Sequence, residues 1–380
     1  MYIVADENIA LLDDFFAHLG KLHKRAGRQL SALEIKEADV LLVRSVTQVN
    51  AQLLQDSRVR FVGSATIGDD HLDKQWLDSQ GITWRTAPAC NAKSVVEYVF
   101  AALAYLSEIK NLELSHKVLG IIGLGNVGSL LASFAQHLGF TVIGYDPFTQ
   151  HTAIKQVELE QLLAQADIVS LHTPLTKTGA YPSFHLLNEN NLRQLKQGAI
   201  LLNSGRGAAI DNQALLAFMT HNPHHLAGLV LDVWEGEPMV NSTLAQKVDI
   251  VTPHIAGYSL EGKWRGTEMI YLALCDFYHK EPQYQLKDFL PNNQQVLVWP
   301  NKENLWQNYA QLLQTIYPIT KDNQAFRQTL LEHDDIKRAL AFDNLRKHYW
   351  HRRESSAYAV QEVPLAYQQA IKTLGFEIIA

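Results

Sequence analysis

The stretch Val118-Leu-Gly-Ile-Ile-Gly-Leu-Gly-Asn-Val-Gly128 decides the fold of this chain. Its first five residues are an apolar run typical of a buried strand. Gly123, Gly125 and Gly128 follow in the spacing G-x-G-x-x-G. These glycines permit a tight turn, a close approach of a pyrophosphate, and tight packing of a helix predicted over Ser129–Leu138. Because the N-terminus of that helix offers unpaired N–H groups to phosphates, the stretch predicts a dinucleotide-binding fold.

A carboxylate at the end of the next predicted strand supports this interpretation. Asp146 follows the strand predicted over Thr141–Tyr145 and lies 18 residues after Gly128. A carboxylate there accepts hydrogen bonds from a ribose and repels a 2′-phosphate, so the sequence favours NAD over NADP. The alternative is that Asp146 caps a surface turn before Pro147.

Apolar strands alternate with helices in two blocks, which predicts an α/β protein with two doubly wound parallel sheets. The strands predicted in the first block are Tyr2–Ala5, Val40–Val43, Arg60–Gly63 and Ile82–Trp84, and its helices lie near Ile9–Leu19, Asn50–Gln55 and Asp70–Ser79. The strands predicted in the second block are Val118–Ile122, Thr141–Tyr145, Ile168–Leu171, Ala199–Asn203, Leu226–Leu231 and Ile250–Thr252. Longer apolar helices are predicted over Ser94–Ser107 and Tyr258–Lys280.

This order of elements predicts three domains. Residues 1–93 plus 257–285 form a discontinuous substrate-binding domain, because the helix after Tyr258 returns the chain to the first lobe. Residues 94–256 form the NAD-binding Rossmann domain, and the ligand is expected in a cleft between the two lobes. After Pro291 the chain becomes rich in Gln, Asn, Trp and Tyr and loses the polar strand-end motifs, so residues 286–380 are predicted to be a C-terminal domain.

Composition narrows the class of protein. The net charge is −6 and 47% of the residues are hydrophobic, which disfavours a nucleic-acid partner and fits an ordinary globular protein. Two cysteines do not make a disulfide framework, and no apolar stretch reaches the length of a membrane span. We therefore expect a cytoplasmic protein without a membrane or nucleic-acid partner.

Three strand-end motifs place a cation, a carboxylate and an imidazole downstream of the glycine stretch. Arg206 lies in Asn203-Ser-Gly-Arg-Gly207, Glu237 in Asp232-Val-Trp-Glu-Gly-Glu-Pro238, and His254 in Thr252-Pro-His-Ile-Ala-Gly257. A guanidinium can hold a substrate carboxylate, an imidazole can accept a hydroxyl proton, and a carboxylate can orient the imidazole. Together they predict the oxidation of a hydroxy acid. The alternatives are a surface arginine in a turn and a structural histidine.

Two other clusters of titratable residues can be interpreted as solvent-exposed side chains. His221, His224 and His225 lie in a predicted loop, where solvated side chains are more common than a metal site, and no metal is predicted. Arg346-Lys347 and Arg352-Arg353 are predicted to lie on a helix, as a solvated face or as a contact for an anionic group of the substrate.

With these motifs the chain resembles the D-2-hydroxyacid dehydrogenase family. The closer match is to a member that acts on a phosphorylated four-carbon hydroxy acid in vitamin B6 biosynthesis. The segments that carry this match are Ala5–Ile9, Val43–Thr47, Phe61–Gly68, Pro174–Ser183, Thr252–Gly262 and Phe342–Tyr349. One departure is Ala89, where the family has glycine, and it puts the local turn in doubt.

The resemblance implies roles for individual residues. Arg206 would hold the substrate carboxylate, His254 would take the hydroxyl proton, and Glu237 would support His254. Ser45, Thr66 and Tyr258 match substrate-binding positions. The positions that match cofactor contacts are Gly123, Gly125, Asn126, Val127, Gly128, Asp146, Thr173, Ser204, Gly205, Arg206, Asp232 and Gly257. The first lobe would be flavodoxin-like, and the C-terminal α+β domain would mediate a homodimer.

A phosphorylated acid has two anionic ends, so its site needs donors beyond Arg206. Arg44, Ser45 and Tyr258 are suitable, and we expect Arg346 to approach the phosphate, within one chain or across the dimer. Two alternatives remain open: a dehydrogenase for another acid such as 3-phosphoglycerate or glycerate, and an NAD-sensing protein that acts as a corepressor.

Overall fold

The computed structural model describes residues 1–292 and 295–379, so Asn293, Gln294 and Ala380 of the predicted C-terminal domain lie outside the described residues. The described strands are β1 Tyr2–Asp6, β2 Lys21–Arg25, β3 Val40–Val43, β4 Phe61–Ser64, β5 Thr83–Arg85, β6 Val118–Ile122, β7 Thr141–Tyr145, β8 Lys155–Gln156, β9 Ile168–Leu171, β10 Ala199–Asn203, β11 Leu226–Leu231, β12 Ile250–Val251, β13 Val296–Val298, β14 Ala359–Gln361 and β15 Glu377–Ile378. The described α-helices are α1 Leu12–Phe16, α2 Ala32–Ile35, α3 Ala51–Leu54, α4 Lys74–Ser79, α5 Ala92–Ile109, α6 Asn126–His137, α7 Leu159–Gln165, α8 Glu189–Leu192, α9 Asn212–His221, α10 Ser242–Lys247, α11 Leu260–Phe277, α12 Leu305–Ile316, α13 Thr320–Thr329, α14 Asp335–Lys347 and α15 Leu365–Thr373.

The first compact unit comprises Met1–Asn91 and Ser259–Asn292. Its five parallel strands run in the order β2-β1-β3-β4-β5, which is the order of flavodoxin-like sheets. Strands β3 and β4 are buried along their whole length because helices cover both faces of a parallel sheet. Helix α11 packs on this sheet: Ile270, Tyr271 and Leu274 lie in one apolar cluster with residues of β1 and β3.

The second unit comprises Ala92–Tyr258 and the described residues that follow Gln294. Its seven parallel strands run in the order β12-β11-β10-β9-β6-β7-β8, so β6 lies at the point where the strand order reverses. That is the Rossmann order with one strand added at one edge, and it confirms the predicted doubly wound α/β fold. The predicted bounds of β6, β7, β9, β10 and β11 agree with the structure.

The described C-terminal residues contain the four α-helices α12 to α15 and a three-stranded parallel sheet in the order β13-β14-β15. Their apolar side chains pack in clusters with those of the Rossmann sheet and α5. The division into three domains, with bounds 1–93 plus 257–285, 94–256 and 286–380, stays a prediction.

Helix α5 is buried on nearly all sides, yet it carries one charged side chain into the interior. Glu97 is 1% exposed, and its Oε1 accepts a hydrogen bond of 2.8 Å from the backbone N–H of Ser355. Burial raises the pKa of Glu97 to about 7, and the neighbouring Glu354 adds to the effect. The cost of this burial makes the stability of the protein dependent on pH.

We expect Glu97→Gln to stabilise the protein increasingly as the pH rises. Between the ordinary value of 4.5 and about 7, the folded protein keeps a proton that the unfolded chain has released. The free energy of unfolding of the wild type therefore falls as the pH rises through this window. Glutamine stays neutral, and its side-chain oxygen can still accept the bond from Ser355. In urea unfolding, the difference in free energy of unfolding between the variant and the wild type should be larger at about pH 8 than at about pH 5, by roughly 1–3 kcal/mol.

The matched control is Glu108→Gln, on the exposed end of the same helix, which should leave the gap unchanged. If the free energy of unfolding changes with pH in the same way in the wild type and in Glu97→Gln, then Glu97 is not the cause of the pH dependence.

Ala89, the residue that departs from the family pattern, has a φ of 65°. This left-handed conformation costs a residue with a Cβ roughly 1–2 kcal/mol, and glycine avoids most of it. We expect Ala89→Gly to raise the free energy of unfolding by about 0.5–1 kcal/mol, measured by urea denaturation. Ala26→Gly is the control, because Ala26 has a φ of −67° and glycine there should destabilise. A loss of stability in Ala89→Gly would contradict this account of the turn.

In the part of the chain that the structure describes, no helix combines the length and the apolar character needed to cross a membrane.

Candidate active site

The predicted catalytic and cofactor residues of the second unit all follow the carboxyl ends of parallel strands. Along the sheet the order is Asp146 after β7, the glycine turn after β6, Thr173 after β9, Arg206 after β10, Glu237 after β11 and His254 after β12. Since these strands are neighbours and run in one direction, their carboxyl ends share one edge of the sheet. Open α/β sheets bind ligands at that edge.

The glycine turn has the geometry that the sequence predicts. Gly123 has a φ of 90°, and a Cβ added to Gly128 would lie 1.9 Å from the carbonyl oxygen of Gly123. A Cβ added to Gly125 would meet nothing within 4 Å. Helix α6 begins at Asn126, directly after this open position. The turn therefore leaves room beside a helix N-terminus, where a pyrophosphate would be held.

The carboxylate of Asp146 accepts hydrogen bonds from the turns around it. Its Oδ2 accepts from the N–H of Leu124 at 2.9 Å, and its Oδ1 accepts from the N–H groups of Phe148 and Thr149. Asp146 therefore does cap a turn, as the alternative interpretation of this residue proposed. Because each carboxylate oxygen has two lone pairs, the cap is compatible with further hydrogen bonds from a ribose.

Thr173 and His172 lie between the glycine turn and the Arg206 turn. The Oγ1 of Thr173 is buried and has no hydrogen-bond partner among the described residues, which suits a position that contacts a bound cofactor. A Cβ added to Gly205 would lie 3.2 Å from the Cα of His172. Burial lowers the pKa of His172 to about 3, so its ring stays neutral beside the hydroxyls of Ser170 and Ser204. Sequence reasoning missed His172, which has no motif of its own.

The Arg206 turn is held against the next strand-end segment. The side-chain amide of Asn203 donates to the carbonyl of Arg206 at 2.9 Å, and its oxygen accepts from the N–H of Gly205. Gly207 packs so closely on Trp234 that an added Cβ would lie 2.0 Å from that residue's carbonyl carbon. Glycine is therefore required here, and the contact ties the Arg206 turn to the segment that carries Glu237.

Glu237 and His254 form the predicted pair. The Nδ1 of His254 lies 2.5 Å from Glu237 Oε1, and the other carboxylate oxygen accepts from the N–H of Trp234 at 3.1 Å. Burial acts to raise the pKa of Glu237, but His254, the N–H of Trp234 and Arg346 together outweigh it and lower the pKa. With Nδ1–H donating to Glu237, the Nε2 of His254 is the atom that can accept a proton. The side chain of His254 is 32% exposed, so the ring is accessible.

Asp232 holds the turn that carries His254. Three successive N–H groups donate to it: His254 to its carbonyl at 2.7 Å, Ile255 to Oδ1 at 2.8 Å, and Ala256 to Oδ2 at 2.9 Å. His254 has a φ of 58°, a conformation that side chains rarely adopt and that the surroundings must impose. These three bonds supply that constraint. Asp232 has no exposed surface, and its geometry accounts for its role in holding the His254 turn. Its contact with the cofactor stays a prediction.

A hydroxyl chain supports Asp232 from behind. Thr252 Oγ1 donates to Asp232 Oδ1 at 2.6 Å, and Tyr98 OH donates to Thr252 at 2.7 Å. The indole of Trp234 donates to the carbonyl of Thr252. Tyr98 comes from α5, more than 130 residues before Asp232, so no local pattern could have indicated this contact.

The predicted substrate residues of the first unit lie at its own strand ends. Arg44 and Ser45 follow β3, and Thr66 follows β4. The Oγ1 of Thr66 donates to the carbonyl of Gly68 at 3.2 Å and lies 2.8 Å from the Oγ of Ser64. Their contacts with substrate stay predictions.

Arg346 lies in α14 and contacts Tyr258, which follows the His254 turn. Its guanidinium carbon is 5.8 Å from the ring centre of Tyr258, and the two side chains are hydrogen-bonded. Glu237 and Tyr258 both favour its charged form. The sequence prediction for Arg352 is wrong: it follows α14, lies outside any helix and has no exposed surface.

The histidines near residue 221 make backbone contacts. His221 Nδ1 lies 2.7 Å from the carbonyl of Ala217, and His225 Nε2 lies 2.7 Å from that of Leu195. A separate group, His185 with Asp211 and Glu235, brings one nitrogen and two carboxylates close enough for a cation. Asp211 also caps α9, and Glu235 accepts from the N–H of Asn212, so these carboxylates already have structural roles.

Comparison with known proteins agrees with this geometry. A family model described as "D-isomer specific 2-hydroxyacid dehydrogenase, NAD binding domain" matches residues 98–256, and one described as "Domain of unknown function (DUF3410)" matches residues 289–375. The erythronate-4-phosphate dehydrogenase of Pseudomonas syringae pv. syringae (strain B728a) is 45% identical over all of both chains. That of Cellvibrio japonicus (strain Ueda107) is 47% identical over 95% of each.

Solved structures share the fold. D-lactate dehydrogenase from Aquifex aeolicus, solved with NAD and lactic acid, has a TM-score of 0.62 at 23% identity, over 73% of this chain and 96% of that one. The NAD-bound 3-phosphoglycerate dehydrogenase of Entamoeba histolytica has a TM-score of 0.63 at 23% identity, over 76% and 99%.

The Rossmann sheet and the family match define an NAD-dependent dehydrogenase of the D-2-hydroxyacid class. Within that class, the chain belongs to the family of the erythronate-4-phosphate dehydrogenases.

Proposed function

We propose that this protein oxidises 4-phospho-D-erythronate to (R)-3-hydroxy-2-oxo-4-phosphooxybutanoate with NAD, a step of vitamin B6 biosynthesis. The observation that carries the proposal is the Glu237–His254 pair on the same sheet edge as the Arg206 turn. The names of the relatives that match the whole chain support the choice of acid.

Three side chains perform the proton and binding chemistry. Arg206 holds the substrate carboxylate with a planar fork of donors that a lysine cannot reproduce. The Nε2 of His254 takes the proton of the C2 hydroxyl, and the carboxylate of Glu237 stabilises the imidazolium that forms. Bound NAD supplies the acceptor for the hydride that leaves C2.

The residues present suit NAD. The open position beside Gly125 and the N-terminus of α6 would hold the pyrophosphate, Asp146 would receive the ribose hydroxyls, and Thr173 Oγ1 would gain a partner. Asn126, Val127, Ser204 and Gly257 are assigned to the same site by their motif positions. The charge of Asp146 disfavours the 2′-phosphate of NADP.

The phosphate end of the substrate needs its own donors. By their motif positions we assign this role to Arg44, Ser45, Tyr258 and Arg346, and we assign Thr66 to substrate binding in general. Arg346 suits this role because its Nε is buried without a hydrogen-bond partner among the described residues while its guanidinium lies beside Tyr258. This arrangement favours a contribution within one chain over one across a dimer.

Arg346→Ala should raise KM for 4-phosphoerythronate about 10- to 100-fold, because a charge-assisted contact to phosphate is worth roughly 1.5–3 kcal/mol. Steady-state kinetics with varied acid and saturating NAD measure it, and KM for NAD should not change. Arg338→Ala, on the same helix, is the control. An unchanged KM for the acid would remove Arg346 from the site.

Turnover decides between the candidate substrates. NADH formation from 4-phosphoerythronate should exceed that from 3-phosphoglycerate and glycerate by at least about 100-fold in kcat/KM, because a site built for two anionic ends penalises the wrong spacing. Preference for 3-phosphoglycerate would move the assignment to another hydroxy acid. NAD binding without turnover of any acid would favour the corepressor.

We also infer a homodimer in the cytoplasm. Large apolar side chains are exposed in the C-terminal residues, at Leu331, Ile336, Leu340 and Leu365, and such surfaces are typical of subunit contacts. Cys90 and Cys275 are both buried and form no disulfide in the described part of the chain, which suits a reducing compartment. Sedimentation equilibrium would test the dimer.

A further inference from the structure

The segment that follows α14 places a fully buried arginine against the catalytic turn. Arg352 has no exposed surface. Its Nη2 donates to two backbone carbonyls, those of Ser94 and Ala256, each at 2.9 Å. Its guanidinium carbon lies 4.1 Å from the ring centre of Tyr317. An arginine so deeply buried is costly unless its contacts compensate. Its Nε and Nη1 have no hydrogen-bond partner among the described residues, so the two bonds from Nη2 and the contact with the Tyr317 ring are the interactions that hold it in place.

The contact with Ala256 falls in the turn that connects His254 to Tyr258. Asp232 binds the N–H of Ala256, and Arg352 binds its carbonyl, so two successive peptide groups are held from opposite ends of the residue. The turn closes with a 2.8 Å bond from the N–H of Tyr258 to the carbonyl of Ile255. His254 lies two residues before Ala256. Its imidazole pairs with Glu237, and its backbone has the left-handed conformation.

Buried acids fix the segment around Arg352 on helix α5. Glu354 Oε1 accepts from the hydroxyl of Ser94 at 2.9 Å, and Glu97 accepts from the N–H of Ser355. The carbonyl of Ser94 thus accepts a hydrogen bond from Arg352, and its hydroxyl donates one to Glu354. The segment cannot shift along α5 without breaking both bonds, and so α5 anchors the guanidinium that holds Ala256.

We propose that Arg352 is a positioning residue for the dehydrogenase reaction, holding the Ala256 peptide so that His254 keeps the orientation in which it pairs with Glu237. This inference rests on the proposed function, and it gives the chain segment matched by the family of unknown function a role inside the active site. Asp232 constrains the turn from the strand end, and Arg352 constrains it from the C-terminal residues.

Arg327 offers a matched control. It also comes from the C-terminal residues and also donates its Nη2 to two backbone carbonyls, those of Val248 and Asp249. These carbonyls precede β12, at the amino end of the strand, whereas His254 follows its carboxyl end. Arg327→Met should therefore lose stability through similar chemistry without touching the catalytic turn.

The test compares Arg352→Met, Arg352→Lys and Arg327→Met in the full-length protein. We expect Arg352→Met to lower kcat about 100-fold, as small displacements of catalytic groups do, with KM for the acid changed less. Arg352→Lys keeps the charge and one nitrogen that can donate to both carbonyls, but it loses the guanidinium that lies over Tyr317, so it should recover roughly tenfold of that loss. Arg327→Met should keep the wild-type kcat at a comparable loss of Tm.

A second readout does not depend on turnover. In proton NMR, the Nδ1–H of His254, bonded to Glu237, should give a downfield resonance that His254→Gln removes. Arg352→Met and Arg352→Lys should shift or broaden it, and Arg327→Met should leave it in place. If the resonance and kcat respond alike to Arg352→Met and Arg327→Met, Arg352 has only a structural role. If the wild type turns over no hydroxy acid but the resonance still responds to Arg352 alone, the proposed function fails and the positioning role stands.

Discussion

His254→Gln is expected to lower kcat by about 10³-fold while leaving NAD binding intact. Glutamine fills a similar volume and can still bond to Glu237, but it cannot accept the hydroxyl proton. Because Nδ1 is engaged by Glu237 at 2.5 Å, only Nε2 can serve as the base, and no other atom of the side chain substitutes for it. Steady-state kinetics give kcat, and calorimetry gives Kd for NAD.

The partner residue should behave as part of the same unit. Glu237→Gln should cost roughly 10²-fold in kcat, since the amide keeps the hydrogen bond but removes the charge that stabilises the imidazolium. The double variant should be no slower than His254→Gln alone. The control is His185→Gln, which breaks another histidine–carboxylate pair, with Nε2 2.8 Å from Glu235. Full additivity of the two losses, or an active His254→Gln, would contradict the assignment.

Arg206→Gln is expected to lower kcat/KM for the hydroxy acid by about 10²–10³-fold, corresponding to roughly 3–4 kcal/mol of lost transition-state binding. In the proposed complex the guanidinium would hold the substrate carboxylate with two donors, whereas the uncharged amide of glutamine would supply at most one. Arg206→Lys should recover only a small part, because an ammonium is a point charge without the fork.

The turn around Arg206 should survive these substitutions. Its shape depends mainly on Asn203 and on the packing of Gly207 against Trp234, and the guanidinium adds a bond of 3.0 Å to the carbonyl of Gly205. The Tm should therefore fall only slightly, and the Kd for NAD should change much less than kcat/KM, whereas the exposed control Arg193→Gln should change none of the three. An Arg206→Gln variant whose loss lies entirely in NAD affinity would show that Arg206 does not bind the acid.

Much of this architecture was predictable because the Rossmann strands are continuous apolar runs buried on both faces. Strands β6, β7, β9, β10 and β11 are each followed directly by a glycine or a polar residue, which marks the strand end in the sequence. The edge strands β2 and β8 were missed, since Lys21–Arg25 and Lys155–Gln156 are polar and only partly buried. Short helices such as α1 came out shorter than predicted, because their apolar residues continue into turns.

The placement of the Arg206, Glu237 and His254 motifs was predictable for a similar reason: each directly follows a strand, and parallel strands bring their ends together. The supporting contacts were not predictable. Arg352 meets Ser94 across 258 positions of sequence, and Glu97 meets Ser355 across the same separation. A charged residue is expected at the surface unless a distant partner buries it, and periodicity carries no information about such partners.

The most direct test of the central claim follows the hydrogen on C2 of the substrate. The wild-type protein is mixed with NAD and 4-phosphoerythronate carrying deuterium at C2, and the products are analysed after a single turnover. Transfer of deuterium to the nicotinamide of NADH, slower than transfer from the unlabelled acid and nearly abolished by His254→Gln, is the predicted result. Release of the label to water, or equal transfer by His254→Gln, would contradict the account.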